Sequence, residues 1–274
     1  MTAFEVRGDG LTATVLPERG GRISSLRDRW GREWLAQPES ALGQPPVPGS
    51  NFTEGDMAGW DECAPSIVAC DVDGVSIPDH GELWTTEFDS VPPRVGATGS
   101  VLNYRFERAI VATPNGLRLE YSAVSLRGDV PFLWAAHPQF VAPDGSWLRV
   151  DDVTEVVDVQ SDPVQRVSWT DERSRIDTVA DRASRKFYLD PDRPRFEAAL
   201  VHPDGRAMVM RWSEQCPYVG FWFDRRRYSR TPVIAIEPST GFFDSLSVAQ
   251  AKGLVAVLQP DMPLRWWVDL VVEE

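Results

Sequence analysis

The sequence predicts an all-β fold built mainly of antiparallel strands. Short apolar or alternating runs recur along the 274 residues and are separated by turns rich in Gly, Pro, Asn and Asp. Asn115-Gly116 between two alternating runs is a strong hairpin signal, and a second hairpin is expected over residues 196–212. The chain has no Gly-x-Gly-x-x-Gly motif, no P-loop and no alternating strand–helix pattern. A nucleotide-binding fold is therefore disfavoured, and a sandwich or barrel is expected.

The expected elements follow from apolar runs and the turns between them. A long Pro-, Gly- and Ser-rich loop over residues 37–59 is of the kind that is usually functional or disordered. A short helix is predicted near residues 245–252, and the last two runs are expected to pair with each other around residues 259–262. Neither an internal repeat nor a domain boundary is visible, so residues 1–274 are interpreted as one domain. The expected strands cover residues 4–7, 11–16, 22–26, 33–35, 85–91, 102–112, 117–126, 131–141, 147–151, 155–160, 186–189, 218–224, 233–237, 253–258 and 264–272.

Composition narrows the class of protein. A net charge of −13 makes nucleic acid or an anionic membrane surface an unfavourable partner. No apolar run approaches the length of a membrane span, and the first ten residues lack the apolar part of a secretion signal, so we expect a cytoplasmic protein. Three cysteines without Cys-x-x-Cys spacing predict neither a disulfide framework nor a zinc site. Only Lys186 and Lys252 are lysine among 28 basic residues, which we interpret as a compositional bias toward arginine.

Glu237 is the most unusual residue of the sequence. It follows the apolar run 233–236 and precedes Pro238, which cannot donate to a strand ladder, so the strand is expected to end there with the carboxylate at a sheet rim. Burial beside aromatic residues raises a carboxyl pKa, which suits a general acid or base. The alternative is a structural glutamate paired with an arginine of the run 225–227.

Two of the three histidines lie in comparable positions. His137 follows the apolar run 132–136, and His80 lies in the turn Pro-Asp-His-Gly, close to Trp84. His202 lies in the turn of the second predicted hairpin and is interpreted as an exposed residue. A lone histidine is more often structural than functional, but two of them with Glu237 in a Trp-rich all-β chain form a less ordinary set.

Six short segments form a recognisable series along the chain. They are Gly-Gly-Arg-Ile-Ser-Ser-Leu (20–26), Gly-Trp-Asp-Glu-x-x-Pro (59–65), Ile-Pro-x-His-Gly (77–81), His-Pro-x-Phe (137–140), Ile-Glu-Pro with a following Gly (236–241) and a C-terminal x-Pro-x-x-x-Leu stretch near Pro260. In this order the segments resemble those of the aldose 1-epimerases, the galactose mutarotase-like proteins. The closest likeness is to a divergent branch in which the second histidine is written His-Pro-x-Phe and the glutamate is followed by Pro. The likeness spans about residues 11–272, and each piece is weak alone.

The resemblance implies a β-supersandwich with a sugar cleft on one concave face. It implies that Glu237 is the catalytic base, that His137 is the acid that protonates the ring oxygen, and that His80 holds the sugar. It implies neither a metal nor a cofactor. One departure is that the segment after His80 reads Gly-Glu-Leu-Trp, without the arginine that binds substrate in much of the family. We expect Glu82 or Trp84 to take over part of that role.

The residue types themselves are suited to the interconversion of sugar anomers, independently of the resemblance. Interconversion of α and β anomers requires removal of a proton from the C1 hydroxyl and donation of one to the ring oxygen, which positioned acid–base groups accelerate by roughly 10²–10⁴-fold each. Tryptophan faces suit the C–H side of a sugar. Trp134 and Trp222 are at least as well explained by core packing. The further substrate-binding candidates are Asp61, Trp60, Trp84 and Trp222.

Several readings of function remain open from the sequence. The first is an aldose 1-epimerase that acts on a free sugar or a sugar phosphate, as a monomer or homodimer. A hexose-6-phosphate 1-epimerase would use an arginine, with Arg225, Arg226 and Arg227 as candidates because the guanidinium fork matches phosphate. The other readings are a carbohydrate-binding or regulatory protein that has lost turnover, and a different enzyme on the same scaffold, such as a polysaccharide lyase or a glycosidase accessory domain.

Overall fold

Two large antiparallel sheets form the protein, as seen in a computed structural model that describes residues 3–39 and 43–274. One sheet has eleven strands and the other has eight, and two further pairs of strands form small ribbons. The predicted all-β class is confirmed. Part of the loop predicted over residues 37–59, namely residues 40–42, lies outside the described residues.

The strands are short and the helices are few. In chain order the strands are β1 (Phe4–Arg7), β2 (Leu11–Leu16), β3 (Arg22–Asp28), β4 (Trp60–Cys63), β5 (Cys70–Val72), β6 (Val75–Ile77), β7 (Asp89–Val91), β8 (Arg94–Gly99), β9 (Tyr104–Thr113), β10 (Gly116–Ser125), β11 (Val130–Phe132), β12 (Ala135–Pro138), β13 (Phe140–Val141), β14 (Trp147–Arg149), β15 (Glu155–Asp158), β16 (Gln165–Ser168), β17 (Ala183–Tyr188), β18 (Glu197–Val201), β19 (Ala207–Trp212), β20 (Tyr218–Arg225), β21 (Val233–Ser239), β22 (Ala256–Leu258) and β23 (Leu264–Glu273). The α-helices are α1 (Asp171–Ser174) and α2 (Leu246–Lys252).

In both sheets, strands from the middle of the chain pair with strands from its C-terminal part, as β12 does with β21 and β10 with β23. The larger sheet runs β1-β2-β3-β4-β12-β21-β20-β17-β15-β16, and β13 also pairs with β21. The smaller sheet runs β14-β18-β19-β23-β10-β9-β8-β7. The ribbons are β5–β6 and β11–β22. Both predicted hairpins are confirmed, as β9–β10 and β18–β19.

The central strands of the larger sheet are buried on both faces. On β21, Ile234 and Ile236 belong to the core between the two sheets, whereas Val233 and Ala235 pack into a second apolar cluster on the opposite face. Successive side chains of a strand point to opposite faces, so Glu237 shares the second face with Val233 and Ala235. The continuous apolar run that the sequence shows is therefore that of a strand covered on two sides.

A buried charge cluster joins the two sheets. Glu62 on β4 accepts from Arg108 Nη1 of β9 at 2.6 Å, from Tyr121 of β10 at 3.2 Å and from Trp134 Nε1 at 2.8 Å. Arg108 also donates to the carbonyl of Gly21. Both charged side chains are fully buried. Trp134 is thus part of this cluster in the core, as the packing interpretation of that residue expected.

Three expectations about local structure are wrong. β21 does not end before Pro238 but continues to Ser239, so Glu237 lies inside a central strand rather than at a rim. The sheet tolerates Pro238 because β12 pairs with β21 only at Ala135–Ser239, so few ladder bonds are lost on that side.

The other two concern the second hairpin turn and the C-terminal strands. His202 is buried rather than exposed, because its ring packs on Trp34 at a centroid distance of 4.6 Å and its Nε2 donates to the Val141 carbonyl at 2.8 Å. The last two strands do not pair with each other, because β22 joins β11 whereas β23 lies between β10 and β19.

We predict that the Glu62–Arg108 pair determines stability rather than activity. Replacing Arg108 with Met leaves a buried carboxylate unpaired and is expected to reduce the free energy of unfolding by about 3–5 kcal/mol. Urea denaturation followed by circular dichroism measures this. Arg118→Met is the control, because the pair Arg118–Asp269 at 2.6 Å is partly exposed and its loss is expected to cost less than about 1 kcal/mol. Equal effects of the two replacements would contradict the prediction.

Candidate active site

Four neighbouring strands of the larger sheet bring three ionisable side chains and a tryptophan to the face that the smaller sheet leaves uncovered. These strands are β12, β21, β20 and β17, in that order across the sheet. They carry His137, Glu237, Trp222 and Lys186 respectively. The four side chains line one pocket. The structure therefore brings together two residues that the sequence singled out, on adjacent strands.

A buried lysine pairs with the candidate base. Lys186 Nζ lies 2.5 Å from Glu237 Oε2 and 2.7 Å from Asp244 Oδ1, so one ammonium bridges two carboxylates. Tyr188, two residues along β17, donates to the same oxygen of Asp244 at 2.6 Å. Only 1% of the Glu237 side chain is exposed. The alternative of a pair with an arginine is thus replaced by a pair with Lys186.

Gly220 makes room for this pair. On β20 it lies opposite Glu237 of β21 on one side and opposite Tyr188 of β17 on the other. A Cβ at Gly220 would lie 3.1 Å from Glu237 Oε2 and 3.2 Å from the Cε of Lys186. Lys186 itself is opposite Trp222, so its side chain reaches the carboxylate of Glu237 diagonally across the glycine.

His137 lies beside Glu237 rather than across a sugar-sized gap from it. The antiparallel pairing of Ala135 with Ser239, continued by two residues, places the two side chains opposite each other. His137 Nε2 is 3.8 Å from Glu237 Oε1. Within the described residues, Glu237 Oε1 and His137 Nδ1 are buried and have no hydrogen-bond partner.

His80 reaches the same pocket from a strained turn. Its backbone is in the left-handed region, with φ of +56°, which non-glycine residues adopt uncommonly. His80 N donates to the Ile67 carbonyl at 2.5 Å, and Gly81 packs so closely on Ala64 that a Cβ would overlap its carbonyl oxygen. His80 Nδ1 lies 3.0 Å from Asp79 Oδ1, and His80 Nε2 has no hydrogen-bond partner among the described residues.

Aromatic side chains form the walls of the pocket. Phe52 stacks on His80 with ring centroids 3.9 Å apart and contacts His137 edge-on at 5.1 Å. Its backbone N–H donates to Asp79 Oδ2, the second oxygen of the carboxylate that binds His80. Trp222 and Tyr228 form the other side. The loop predicted to be functional or disordered thus supplies part of the site through Phe52.

The pocket is small. Its volume is about 210 Å³, below the roughly 300–1,000 Å³ of sites for drug-sized ligands. The described residues that line it include apolar, aromatic and ionisable side chains but no arginine. A single small polar molecule with one apolar face fits this lining better than an extended polymer.

Burial shifts the pKa values of Glu237 and His137 in opposite directions. Burial raises the pKa of Glu237 to about 7, against the opposing effect of the Lys186 ammonium. Burial lowers the pKa of His137 well below its ordinary value, and the neighbouring His80 and the Lys186 ammonium lower it further. For Lys186, burial lowers the pKa, but Asp244 and Glu237 more than offset it, so its pKa is raised and it stays an ammonium. When Glu237 and His137 hold one proton between them, it resides mainly on Glu237.

Of the substrate-binding candidates, Trp222 lines this pocket. Trp84 lies behind the pocket wall, where its ring packs against Phe52 at a centroid distance of 5.0 Å and its Nε1 donates to the Asp79 carbonyl. Trp60 is fully buried against Phe140. Neither Trp60 nor Trp84 is among the residues that line the pocket around Glu237.

The two acidic candidates are engaged elsewhere. Glu82 accepts from the backbone N–H groups of Ser100 and Val101 and from the Ser100 hydroxyl, and it is not among the residues that line the pocket around Glu237. Asp61 is fully buried and forms a two-bond ion pair with Arg22, at 2.9 and 2.8 Å. Local sequence could not show these partners, because they are distant along the chain.

The three arginines considered for phosphate binding also lie outside the pocket. Arg225 pairs with Asp144 at 2.9 Å, and Arg226 pairs with Asp181 at 2.6 Å. Arg227 lies over the ring of Tyr228, 5.0 Å from its centroid. The cation at the site is Lys186 instead.

Sequence reasoning missed Lys186, Asp244 and Asp79. The signal for Lys186 was present, because a lysine among 28 basic residues that are otherwise arginine, apart from Lys252, is an exception that calls for a reason. Asp79 precedes His80 directly, and a carboxylate beside a histidine is a recurrent means of orienting the ring. Asp244 gave no comparable signal.

Over residues 3–39 and 43–274, no group of three or more His, Cys, Asp or Glu side chains is arranged to hold a metal ion. In the same residues, no helix is long and apolar enough to cross a membrane.

Solved structures share this fold over nearly the whole chain. A galactose mutarotase-like protein from Lactobacillus casei ATCC 334 aligns with a TM-score of 0.70 and 15% identity, over 99% of this chain and 100% of that one. The GalM/aldose epimerase homologue from C. elegans aligns at 0.64 with 14% identity, over 100% and 99%. A protein from Synechocystis sp. PCC 6803 aligns at 0.75 with 14% identity, over 99% and 96%.

These likenesses establish the fold. No protein-family model and no curated protein matches the sequence. The predicted galactose mutarotase-like β-supersandwich is confirmed, with structural neighbours that include aldose 1-epimerase homologues at low sequence identity. The narrower resemblance to a branch with His-Pro-x-Phe and Ile-Glu-Pro motifs stays a prediction.

We predict that Glu237 titrates near neutral pH in the free protein. Its carboxyl group is expected to be protonated below a midpoint of about 7 and ionised above it, because burial disfavours the charge. Carbon-13 NMR of protein labelled at glutamate Cδ measures this, with Glu237→Gln used to assign the signal. A midpoint near the ordinary value of 4.5 would contradict the prediction.

Proposed function

We propose that this protein is an aldose 1-epimerase that interconverts the α and β anomers of an unphosphorylated sugar. The observation that carries the proposal is the adjacency of Glu237 Oε1 and His137 Nε2, 3.8 Å apart at the base of a small aromatic-walled pocket. The fold similarity to mutarotase-like proteins supports it. The carbohydrate-binding alternative predicts the same pocket without turnover, so activity separates the two.

The reaction transfers protons at two oxygens that are bonded to the same carbon. Glu237 takes the proton of the C1 hydroxyl, and His137 gives one to the ring oxygen. The C1–O5 bond breaks, the aldehyde forms, and rotation about C1–C2 exposes the other face before the ring closes. Because both oxygens are attached to C1, a base and an acid that lie side by side serve them better than groups placed far apart.

The two groups share one proton throughout a cycle. Ring opening begins with ionised Glu237 and protonated His137, and it ends with protonated Glu237 and neutral His137. Ring closure reverses these transfers. The catalytic pair must therefore carry one proton, and it must be able to place that proton on either group. A raised pKa at Glu237 and a lowered pKa at His137 favour the arrangement reached after opening.

The charges of the pocket favour a neutral sugar. Lys186 already faces two carboxylates, Glu237 and Asp244, and no arginine is among the described residues that line the pocket. A phosphate placed there would meet two carboxylates and one ammonium that is already paired. His80, held by Asp79, is positioned to hydrogen-bond sugar oxygens through Nε2, and Trp222 offers a face for the C–H side of the ring.

We predict that Glu237→Gln and His137→Asn each reduce turnover by roughly 10²-fold or more, because each removes one of the two proton-transfer groups. The double variant is expected to lose less than the product of the two losses, since each group is ineffective without the other. NMR exchange spectroscopy of α and β anomers, over a panel of aldoses and aldose phosphates, is the assay.

Glu214→Gln, an exposed position, is the control for these variants. A correctly folded Glu237→Gln protein with the parent rate would show that the carboxylate is structural. A wild-type protein that binds sugars but exchanges none of them would favour the carbohydrate-binding alternative.

We also predict a bell-shaped dependence of kcat/KM on pH. Activity is expected to fall as pH rises through about 7, where the pair loses its last proton, which Glu237 mainly holds. It is expected to fall again on the acid side at a pH well below the ordinary pKa of histidine, where His137 becomes charged while Glu237 is protonated. A rate that instead rises through pH 7 to a plateau would contradict His137 as the proton donor.

A further inference from the structure

Lys186 forms a contact that the proton transfers themselves do not require. The reaction needs a base and an acid, which Glu237 and His137 supply. Yet the second oxygen of Glu237 is occupied by the Lys186 ammonium at 2.5 Å, and the same ammonium is held by Asp244 at 2.7 Å. Tyr188 holds Asp244 in turn, at 2.6 Å. Oε2 of the base is thus paired with an ammonium, whereas Oε1 has no hydrogen-bond partner among the described residues and faces His137 at 3.8 Å.

The fold is built to admit this contact. Lys186 and Glu237 lie on strands that are separated by β20, and the position between them is Gly220. Any side chain there would approach both partners within 3.1–3.2 Å. A lysine is suited to such a route because its compact ammonium sits on a flexible four-carbon stem, whereas the guanidinium of arginine is a broad planar fork. This is a physical reason for a lysine in a chain whose other buried cations are arginines.

We propose that Lys186 is a positioning residue for epimerisation, which favours the ionised form of Glu237 and keeps Oε1 turned toward the substrate and His137. The inference rests on the proposed function. Lys186 is expected to act through Glu237 without contacting the reacting atoms. By stabilising the carboxylate, it moves the shared proton toward His137, which is the arrangement that ring opening requires.

The charged groups around Glu237 have opposite effects on its ionisation. Lys186 of β17 favours the carboxylate, whereas Asp244, from the segment after β21, disfavours it. His137 of β12 lies opposite, and Tyr188 of β17 and Cys63 of β4 also sense the charge of Glu237. The pKa of each of these last two groups is raised mainly by burial, so they are neutral near pH 7. The ionic balance at Glu237 is therefore set chiefly by Lys186 and Asp244, with His137 as the proton partner.

Two variants test this with opposite signs. Lys186→Met removes the ammonium at similar side-chain length, so the midpoint of the Glu237 carboxyl in free protein is expected to rise by about one pH unit or more. Asp244→Asn removes the opposing carboxylate and leaves Lys186 charged, so the midpoint is expected to fall. Carbon-13 NMR at glutamate Cδ measures both, and neither measurement depends on a substrate.

The alkaline limb of kcat/KM is expected to shift in the same direction as the Glu237 midpoint. In Lys186→Met, the alkaline limb of kcat/KM is expected to move to higher pH, and kcat at the optimum is expected to fall by about tenfold or more with little change in KM. Lys186→Arg retains the charge, so its alkaline limb is expected to stay near that of the parent protein even if its rate is lower. Lys252→Met, at the only other lysine and exposed, is the matched control.

The outcomes separate the two proposals. If Lys186→Met folds and neither the Glu237 midpoint nor the alkaline limb moves, the lysine is merely structural and the inference is overturned. If Lys186→Met does not fold, the test falls to Asp244→Asn. The inference is then overturned if Asp244→Asn leaves the Glu237 midpoint unchanged. If the midpoints move as expected while wild-type protein exchanges no anomers, the electrostatic coupling stands, and the proposed function, with the catalytic role of Lys186, is lost.

Discussion

Burial of the Glu237 carboxylate in the centre of a β-sheet is the constraint on which the site depends. An isolated carboxylate at 1% exposure would be costly, so it must be protonated or paired. The larger sheet supplies a pair through Lys186 on the strand after next, with a glycine left between them. Asp244 and Tyr188 then hold the lysine. Much of the pocket floor thus follows from one buried charge.

Comparison with Glu62 shows how Glu237 differs from a carboxylate with a purely structural set of partners. Both carboxylates are buried in the larger sheet, on opposite faces. Both oxygens of Glu62 have protein partners, namely Arg108, Tyr121 and Trp134. Glu237 has a charged partner on one oxygen only, and Oε1 faces the pocket and His137. Buried polar atoms are nearly always satisfied, so the lack of a hydrogen-bond partner for Oε1 among the described residues supports the proposal that a ligand binds there.

Sequence patterns predicted the strands and the facing residues better than the pairings between them. A two-residue period shows which side chains share a face, and it was enough to single out Glu237 and His137 as exceptional on apolar runs. It does not show which strands become neighbours, so the bridge from Lys186 to Glu237 was not visible. The partners of Glu82 were hidden for the same reason, because the amides that bind it, at Ser100 and Val101, are distant in sequence. The prediction that the strand ends before Pro238 was wrong because a proline is tolerated where the adjoining ladder of hydrogen bonds is short.

The most direct test of the account is a crystal structure of Glu237→Gln protein with a free aldose bound. The account predicts one sugar ring in the pocket, with its anomeric oxygen within about 3 Å of the residue 237 side chain and its ring oxygen within a similar distance of His137 Nε2. The apolar face of the ring is expected against Trp222. A sugar bound with C1 directed away from both side chains, or bound elsewhere on the protein, would contradict the assignment of this pair to proton transfer.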